Sequence, residues 1–411
     1  MKVVSDQYDI LISGAGPVGA ALACALADNG LRIGLTETYA HDATRPPDTR
    51  SIVLSHGSCL IFQGLGLWQR MKPFTAPVRS VRVSQQASLG SLRLKATDLN
   101  IDALGYVIPA ARLSEVIRAR ISELDDVNLF SPARLDGVRL DSKMLRVGCD
   151  QCPGAVLKTR LLVIAEGAQS GLRTQLGFQV AKRPYHQTAI TTTLHMAEVH
   201  HDDSFHRTTP LGPVALLPGS NNQRAVVMTV AEHQVDAVMS LSDADLIARI
   251  QSVFGKALGT VQTVGPRQAW PLVLTQVNEQ VRERIVLLGN AAQCLHPIGA
   301  QGLNLSLKDM ALLAECITDA VKAGSDPGAL DLLLQYRLMR KNDQQRTILF
   351  TDTAARLFDL NIPLATVCRG LAINALEHVP GLKQAFMRRV LGLSGRWPRL
   401  MLKGQATFQA G

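Results

Sequence analysis

Three short apolar runs in the chain each end in a glycine-rich or polar turn. Tyr8–Ser13 runs straight into Gly14-Ala15-Gly16-Pro17-Val18-Gly19. Leu161–Ala165 ends in Glu166-Gly167, with Ser170 and Arg173 just beyond. Arg284–Leu288 opens into a loop over Gly289–Gly302. Apolar runs of this length predict buried strands. A helical pattern follows the first and the last: small apolar residues over Ala20–Ala27, stopped by Asn29-Gly30, and apolar residues at helical spacing over Leu303–Thr318. Arg32–Thr36 predicts another strand. A doubly wound parallel sheet would bring the strand ends at 13, 165 and 288 to one edge, where ligands bind in such folds. Elsewhere, a Pro-rich loop leads through Arg50 into a helix around Ser58–Leu65. Val78–Ser84 predicts a strand, a further helix begins near Arg112, and the Thr-rich stretch 189–199 has strand propensity despite poor alternation.

The first turn carries chemistry. Gly14, Gly16 and Gly19 match G-x-G-x-x-G between a strand and a helix, and Glu37 stands at the end of the next strand, 18 residues past Gly19. Glycines at these positions let backbone amides approach a pyrophosphate at a helix N-terminus, and the acid can accept hydrogen bonds from a ribose. No basic residue adjoins Glu37 to meet a 2′-phosphate, so the ligand is NAD-like or FAD-like. The loop 289–302 aims backbone amides and a helix N-terminus at the same edge. That arrangement suits a reduced flavin, which carries negative charge on its pyrimidine side.

Charge and cysteine content change this picture little. Of the net +9, six cations lie in the acid-free stretch from His378 on: Lys383, Arg388, Arg389, Arg396, Arg399 and Lys403. This tail reads either as an interfacial amphipathic segment drawn to anionic lipid or as a helix packed on its own domain or a partner. Aromatics are only 4% of residues, which disfavours stacking on nucleic acid. Seven scattered cysteines fit reduced thiols in a cytoplasmic protein. Cys149 and Cys152 have a metal-ligand spacing without a second pair, and the Pro153-Gly154 that follows suggests a hairpin turn. His195, His200, His201 and His206, near Asp202 and Asp203, read as a solvated loop. No metal site is expected.

Taken with these motifs, the chain resembles the single-component FAD-dependent aromatic hydroxylases of the para-hydroxybenzoate hydroxylase type. Within them it is most similar to the ubiquinone-biosynthesis branch acting on 2-polyprenyl-6-methoxyphenol. The resemblance rests on Gly14, Gly16, Gly19 and Glu37, on Arg50 in "DTRSIVLS", and on Glu166-Gly167 where the family has Asp-Gly. It also rests on Gly289-Asn290 where the family has Gly-Asp, and on His296-Pro297 and Gln301-Gly302-Leu303-Asn304 under the flavin ring. It implies a Rossmann-like, glutathione-reductase-type FAD domain over 1–73, 97–180 and 281–345. A mostly β substrate domain over 74–96 and 181–280 is inserted in it, and a helical basic region covers 346–411. It assigns FAD contacts to Gly14, Gly16, Gly19, Glu37, Arg50, Arg112, Glu166, Gly167, Asn290, Gly302, Leu303 and Asn304. His296, Pro297 and Gln301 are assigned to the catalytic loop, His296 being either a proton-transfer group or a structural turn.

The implied reaction uses NAD(P)H as a transient co-substrate and O2, forms a flavin hydroperoxide and hydroxylates a prenylated phenol. The implied partners are other quinone-biosynthesis proteins and the inner face of a membrane. The alternatives are a hydroxylase or epoxidase on another apolar aromatic, and a scaffold without turnover. The departures at Glu166 and at Gly299-Ala300, which inverts the usual Ala-Gly, motivate the last of these. If position 300 needs a positive φ, alanine there costs ~1 kcal/mol.

Overall fold

The computed structural model describes residues 6–39, 48–86, 91–152, 156–198, 202–359 and 363–409. The Pro-rich loop at 45–47, the Pro153-Gly154 turn, His200 and His201 lie outside the described residues.

The apolar runs become the middle of an eight-stranded sheet. Its main path is Val281–Arg282, Ile285–Leu287, Val156–Ile164, Gln7–Ser13, Ile33–Thr36 and Val127–Phe130. Val281–Arg282 is antiparallel to its neighbour and the rest of this path is parallel. Ser13 pairs with Ile164 and Ile164 with Leu287. The three expected strand ends therefore stand side by side on one edge. The inner strands bury both faces over their apolar runs. Leu161 and Val163 join one apolar cluster with helices Pro17–Leu26, Ala110–Glu123 and Gln301–Lys322. Leu162 and Ile164 join a second under the hairpin Leu135–Asp141/Met144–Cys149. Burying one such side chain contributes about 1.5–3 kcal/mol, which explains why both faces had to be apolar.

Local chemistry moves some element ends. The first helix begins at Pro17 because proline suits the first helical position and Gly16 before it is extended. The helix expected from Ser58 begins at His56, since the Ser55 side chain accepts from the Ser58 amide as an N-cap. The last helix of the fingerprint region begins at Gln301, two residues ahead of its expected start.

A second, nine-stranded sheet stands apart from the first. Its main order is Gln293–Cys294, Gln268–Val277, Val180–Met196, Gln223–Ala231, Gly212–Pro218, Asp203–Thr209, Ser80–Gln85 and Ser91–Lys95. Helix Asp243–Phe254 covers one face over Ile190, Leu216, Val226 and Met228. His206 belongs to this sheet, with Nε2 3.2 Å from the Ser204 hydroxyl, so the solvated-loop expectation is corrected for it. Among the described residues no three His, Cys, Asp or Glu side chains group as metal ligands. Cys149 and Cys152 are joined as a disulfide, with Cα atoms 5.3 Å apart, which corrects the expectation of wholly reduced thiols.

The C-terminal segment is integrated. Helix Leu330–Asp359 runs through residue 346, where the sequence reading begins a separate region. Helix Arg399–Gln409 crosses helix His56–Gly64 so closely that a side chain at Gly64 would strike the Leu400 carbonyl. One at Gly404 would strike that of Leu60. Arg399 pairs with Asp319 and Arg396 with Glu315. Of the two readings of the tail, packing on its own domain therefore holds for this helix. No helix among the described residues is long and apolar enough to cross a membrane.

Candidate active site

A cavity of about 2920 Å3 lies between the two sheets and touches all three parallel strand ends. This is roughly three times the upper end of ordinary ligand pockets, space for more than one molecule. At the first strand end, Gly14 has φ +104°, and a side chain there would collide with the Ala165 carbonyl. A side chain at Gly19 would run into the Gly14 carbonyl, so Gly19 lets the helix pack tightly rather than lining the cavity. Beside Gly16 nothing lies within 4 Å of where a side chain would begin, and the residue faces the cavity. This leaves an open approach to the amides of a helix N-terminus, with Glu37 on the same wall. These residues fit the pyrophosphate and ribose of a dinucleotide.

At the second strand end Glu166 and Gly167 line the cavity. The longer glutamate is fully engaged: Ser13 Oγ donates at 2.6 Å, Ser170 Oγ at 2.6 Å and the Leu172 amide at 3.1 Å. Glu166 thus ties the first strand end to the second. The buried Arg173 guanidinium donates to the carbonyls of Ala168 and Ala291, at 2.8 and 2.9 Å, linking the second end to the third.

At the third end, Asn290, His296, Pro297, Gly302, Leu303 and Asn304 all border the same cavity as Gly14 and Glu37. Gly299 and Ala300 both take left-handed conformations, with φ 68° and 53°, and so turn the chain into the 22-residue helix. The N-terminus of that helix opens on the cavity, a fixed partial positive charge. Asn304 knots the floor together. Its Oδ1 accepts from the Ser55 amide and Ser58 Oγ, while its Nδ2 donates to the carbonyls of Val53 and Ala300. Gln301 turns inward and donates to Gly299 O and Val390 O, so it fastens the loop to the C-terminal helices.

His296 is 3% exposed, and burial pushes its pKa down to about 4 although Asp352 pulls the other way. Nδ1 accepts from the Ile298 amide, and Nε2 faces Gln187 Oε1 at 3.3 Å. This fixes a neutral ring with its proton on Nε2. Tyr185 packs edge-on at 4.9 Å and donates to Asp352, whose charge together with burial raises the phenol.

Arg50 lies on the cavity wall, clamped by Asp48 at 2.6 and 2.8 Å, with its guanidinium 4.3 Å from the Trp270 ring centre. That contact ties the segment ahead of strand Ser51–Ser55 to the nine-stranded sheet. Arg112 is not brought to the cavity: it is exposed, pairs with Glu115 and covers Phe74. Ser114 and Arg118, further along its helix, do border the cavity and carried no sequence signal. Tyr185 and Asp352 also carried no sequence signal, because only folding brings them near the loop.

The family model described as "FAD binding domain" matches residues 7–351. Ubiquinone hydroxylase UbiL of Rhodospirillum rubrum is 32% identical over 398 residues, covering 96% of this chain and 92% of that protein. The chain belongs to the FAD-dependent hydroxylase family of ubiquinone biosynthesis. Another relative is the 3-demethoxyubiquinol 3-hydroxylase of Escherichia coli, 26% identical over 95% of this chain and 100% of that one. The human mitochondrial ubiquinone biosynthesis monooxygenase COQ6 is 27% identical, covering 92% of each. Among solved structures, p-nitrophenol 4-monooxygenase PnpA of Pseudomonas putida superposes with TM-score 0.77. It is 17% identical, over 96% of this chain and 100% of that one, and shares the fold. As a member of this family the protein is an FAD-dependent monooxygenase, and NAD(P)H is the typical reductant.

Proposed function

We propose that this hydroxylase acts on the ring of a prenylated phenol in ubiquinone biosynthesis, in the manner of the 2-polyprenyl-6-methoxyphenol branch. The observation that carries the reading is the lining of the cavity. We read its apolar border between the edge hairpin and the C-terminal helices as an arm for a tail. Val81, Val83, Leu92 and Leu94 form one side of it, and Ile373, Leu376 and Phe386 the other. A single-ring substrate has no use for such an arm; an isoprenoid tail does.

The residues divide the work. Gly14, Gly16 and Glu37 would hold the nucleotide end of FAD, and Asn290, Pro297 and Gly302–Asn304 the ring end. Bound FAD supplies the oxygen activation and electron transfer. The helix starting at Gln301 presents partial positive charge to the ring end and favours its electron-rich form. Neutral His296 keeps its proton on Nε2 and orients the loop through Ile298. The apolar walls exclude water from the reacting edge. We take residues 1–73, 97–180 and 281–345 as the FAD domain and 74–96 with 181–280 as the substrate domain. The cavity lies at their seam. Glu166 and Ala300, the two departures that favour a scaffold without turnover, are both accommodated, the one by three hydrogen bonds and the other in a left-handed turn.

Purified yellow protein is mixed with NADH or NADPH and O2, with and without a prenylated 6-methoxyphenol, and the products are read by mass spectrometry. A product heavier by one oxygen atom supports the reading. Equal turnover on a phenol without the tail, with no gain from prenylation, contradicts it.

A further inference from the structure

The substrate sheet has a second face, away from the flavin cavity. Side chains alternate along a strand, so Phe205 projects opposite to Ser204, His206 and Thr208, which border that cavity, while the long Arg207 side chain borders both spaces. On this outer side a separate hollow of about 290 Å3 is lined by Arg82, Ser84, Ser91, Phe205, Arg207 and Phe254, among others.

The charge there is unusual. Arg82 stands directly opposite Arg93 in the antiparallel pair, a like-charge arrangement that strands normally avoid. Two guanidinium groups flank the Phe205 ring, those of Arg224 at 5.8 Å and Arg82 at 6.0 Å from its centre. Arg224 is 3% exposed, and its Nε and Nη1 have no hydrogen-bond partner. The Nε atoms of Arg207 and Arg93 are likewise buried and without a partner, although Arg207 Nη1 donates to the Val253 carbonyl at 2.7 Å. Of the neighbouring carboxylates, Asp203 lends its charge to Arg224 while accepting from the Ser80 hydroxyl. Glu377 accepts from the Arg93 backbone amide and pairs with Lys383. A buried guanidinium without a partner is strongly disfavoured, and such groups call for a counter-charge.

We propose that this hollow is a binding site for a small oxyanion, a phosphate or carboxylate carried on a flat ring. The oxyanion would meet Arg82 and Arg207, with Ser84 and Ser91 as further donors, and planar guanidinium groups suit both anion types. The ring would lie against Phe205 and Phe254, which pack edge-on 6.4 Å apart. The volume admits about one ring and its anion, and is too small for a dinucleotide. The ligand is therefore a second molecule beside FAD and the phenol.

Calorimetric titration of the FAD-loaded protein with phenyl phosphate, benzoate and inorganic phosphate tests this. Arg207 also borders the large cavity, so the variant leaves it in place. Saturable binding of one aryl anion per chain, tighter than inorganic phosphate, is expected. The preference between phenyl phosphate and benzoate tells a phosphate ligand from a carboxylate. Arg82→Gln is expected to weaken binding about tenfold, with flavin absorbance and NAD(P)H oxidation unchanged. Arg82 is exposed, so its replacement leaves the fold intact. No saturable binding at millimolar concentration, or binding that Arg82→Gln leaves unaltered, overturns the site.

Discussion

The nucleotide end and the substrate end of the cavity are built in different ways. The nucleotide end is made by one contiguous stretch, Gly14 to Glu37, in which each residue's job follows from its neighbours. The substrate end is assembled from segments hundreds of residues apart: Val83 and Leu94 on a hairpin, Trp270 on a central strand, Phe386 on a late helix. The first depends on backbone geometry and tolerates no added atom at Gly14 or Gly19. The second depends on apolar volume and tolerates exchange. The two ends should therefore fail differently when mutated.

The largest effect is expected at Gly19. A valine there would drive into the Gly14 carbonyl, and FAD affinity should drop by about 100-fold or more, read from flavin absorbance of purified protein. Retention of stoichiometric FAD would break the contrast. Val83→Trp should do the opposite by narrowing the apolar arm. FAD content should hold while KM for a long-tailed substrate rises about 10-fold and that for a short-tailed analogue stays level. An equal rise for both substrates would remove the tail from that arm.

His296 joins the ends and should set acid stability. Its folded pKa of about 4 lies below the ordinary 6.5, so the unfolded chain binds the extra proton. Stability is then full above pH 6.5 and is lost as pH falls toward 4, by on the order of 3 kcal/mol. Denaturant midpoints across that range should fall in the wild type and flatten in His296→Gln. The smallest effect is expected at Ala300, whose φ of 53° suits glycine. Ala300→Gly should raise stability by about 1 kcal/mol, visible as an increase of about 1 °C in Tm. A decrease would mean that the turn gains more from the methyl group than it loses in strain.

What could be read from the sequence follows the same division. The parallel strands were legible because both faces must be apolar, and the three strand ends fell where the runs stopped. Glu37 and the glycines were legible because their spacing is local. Arg112 was misplaced because a helix start says nothing of which face meets the cavity; Ser114 and Arg118 on the same helix reach it instead. Gln301 gave no sign that its amide would reach Val390, 89 residues away. The tail's cations left lipid contact and packing on the protein both open; Arg396 and Arg399 meet Glu315 and Asp319, partners visible only after folding.

A crystal structure of the FAD-bound protein tests the convergence of the three strand ends most directly. The account predicts the adenosine ribose beside Glu37 and the isoalloxazine over Pro297–Asn304, with its pyrimidine edge toward the start of the helix at Gln301. A flavin ring bound away from the 289–304 loop, with the dinucleotide at Gly16 unchanged, would contradict it.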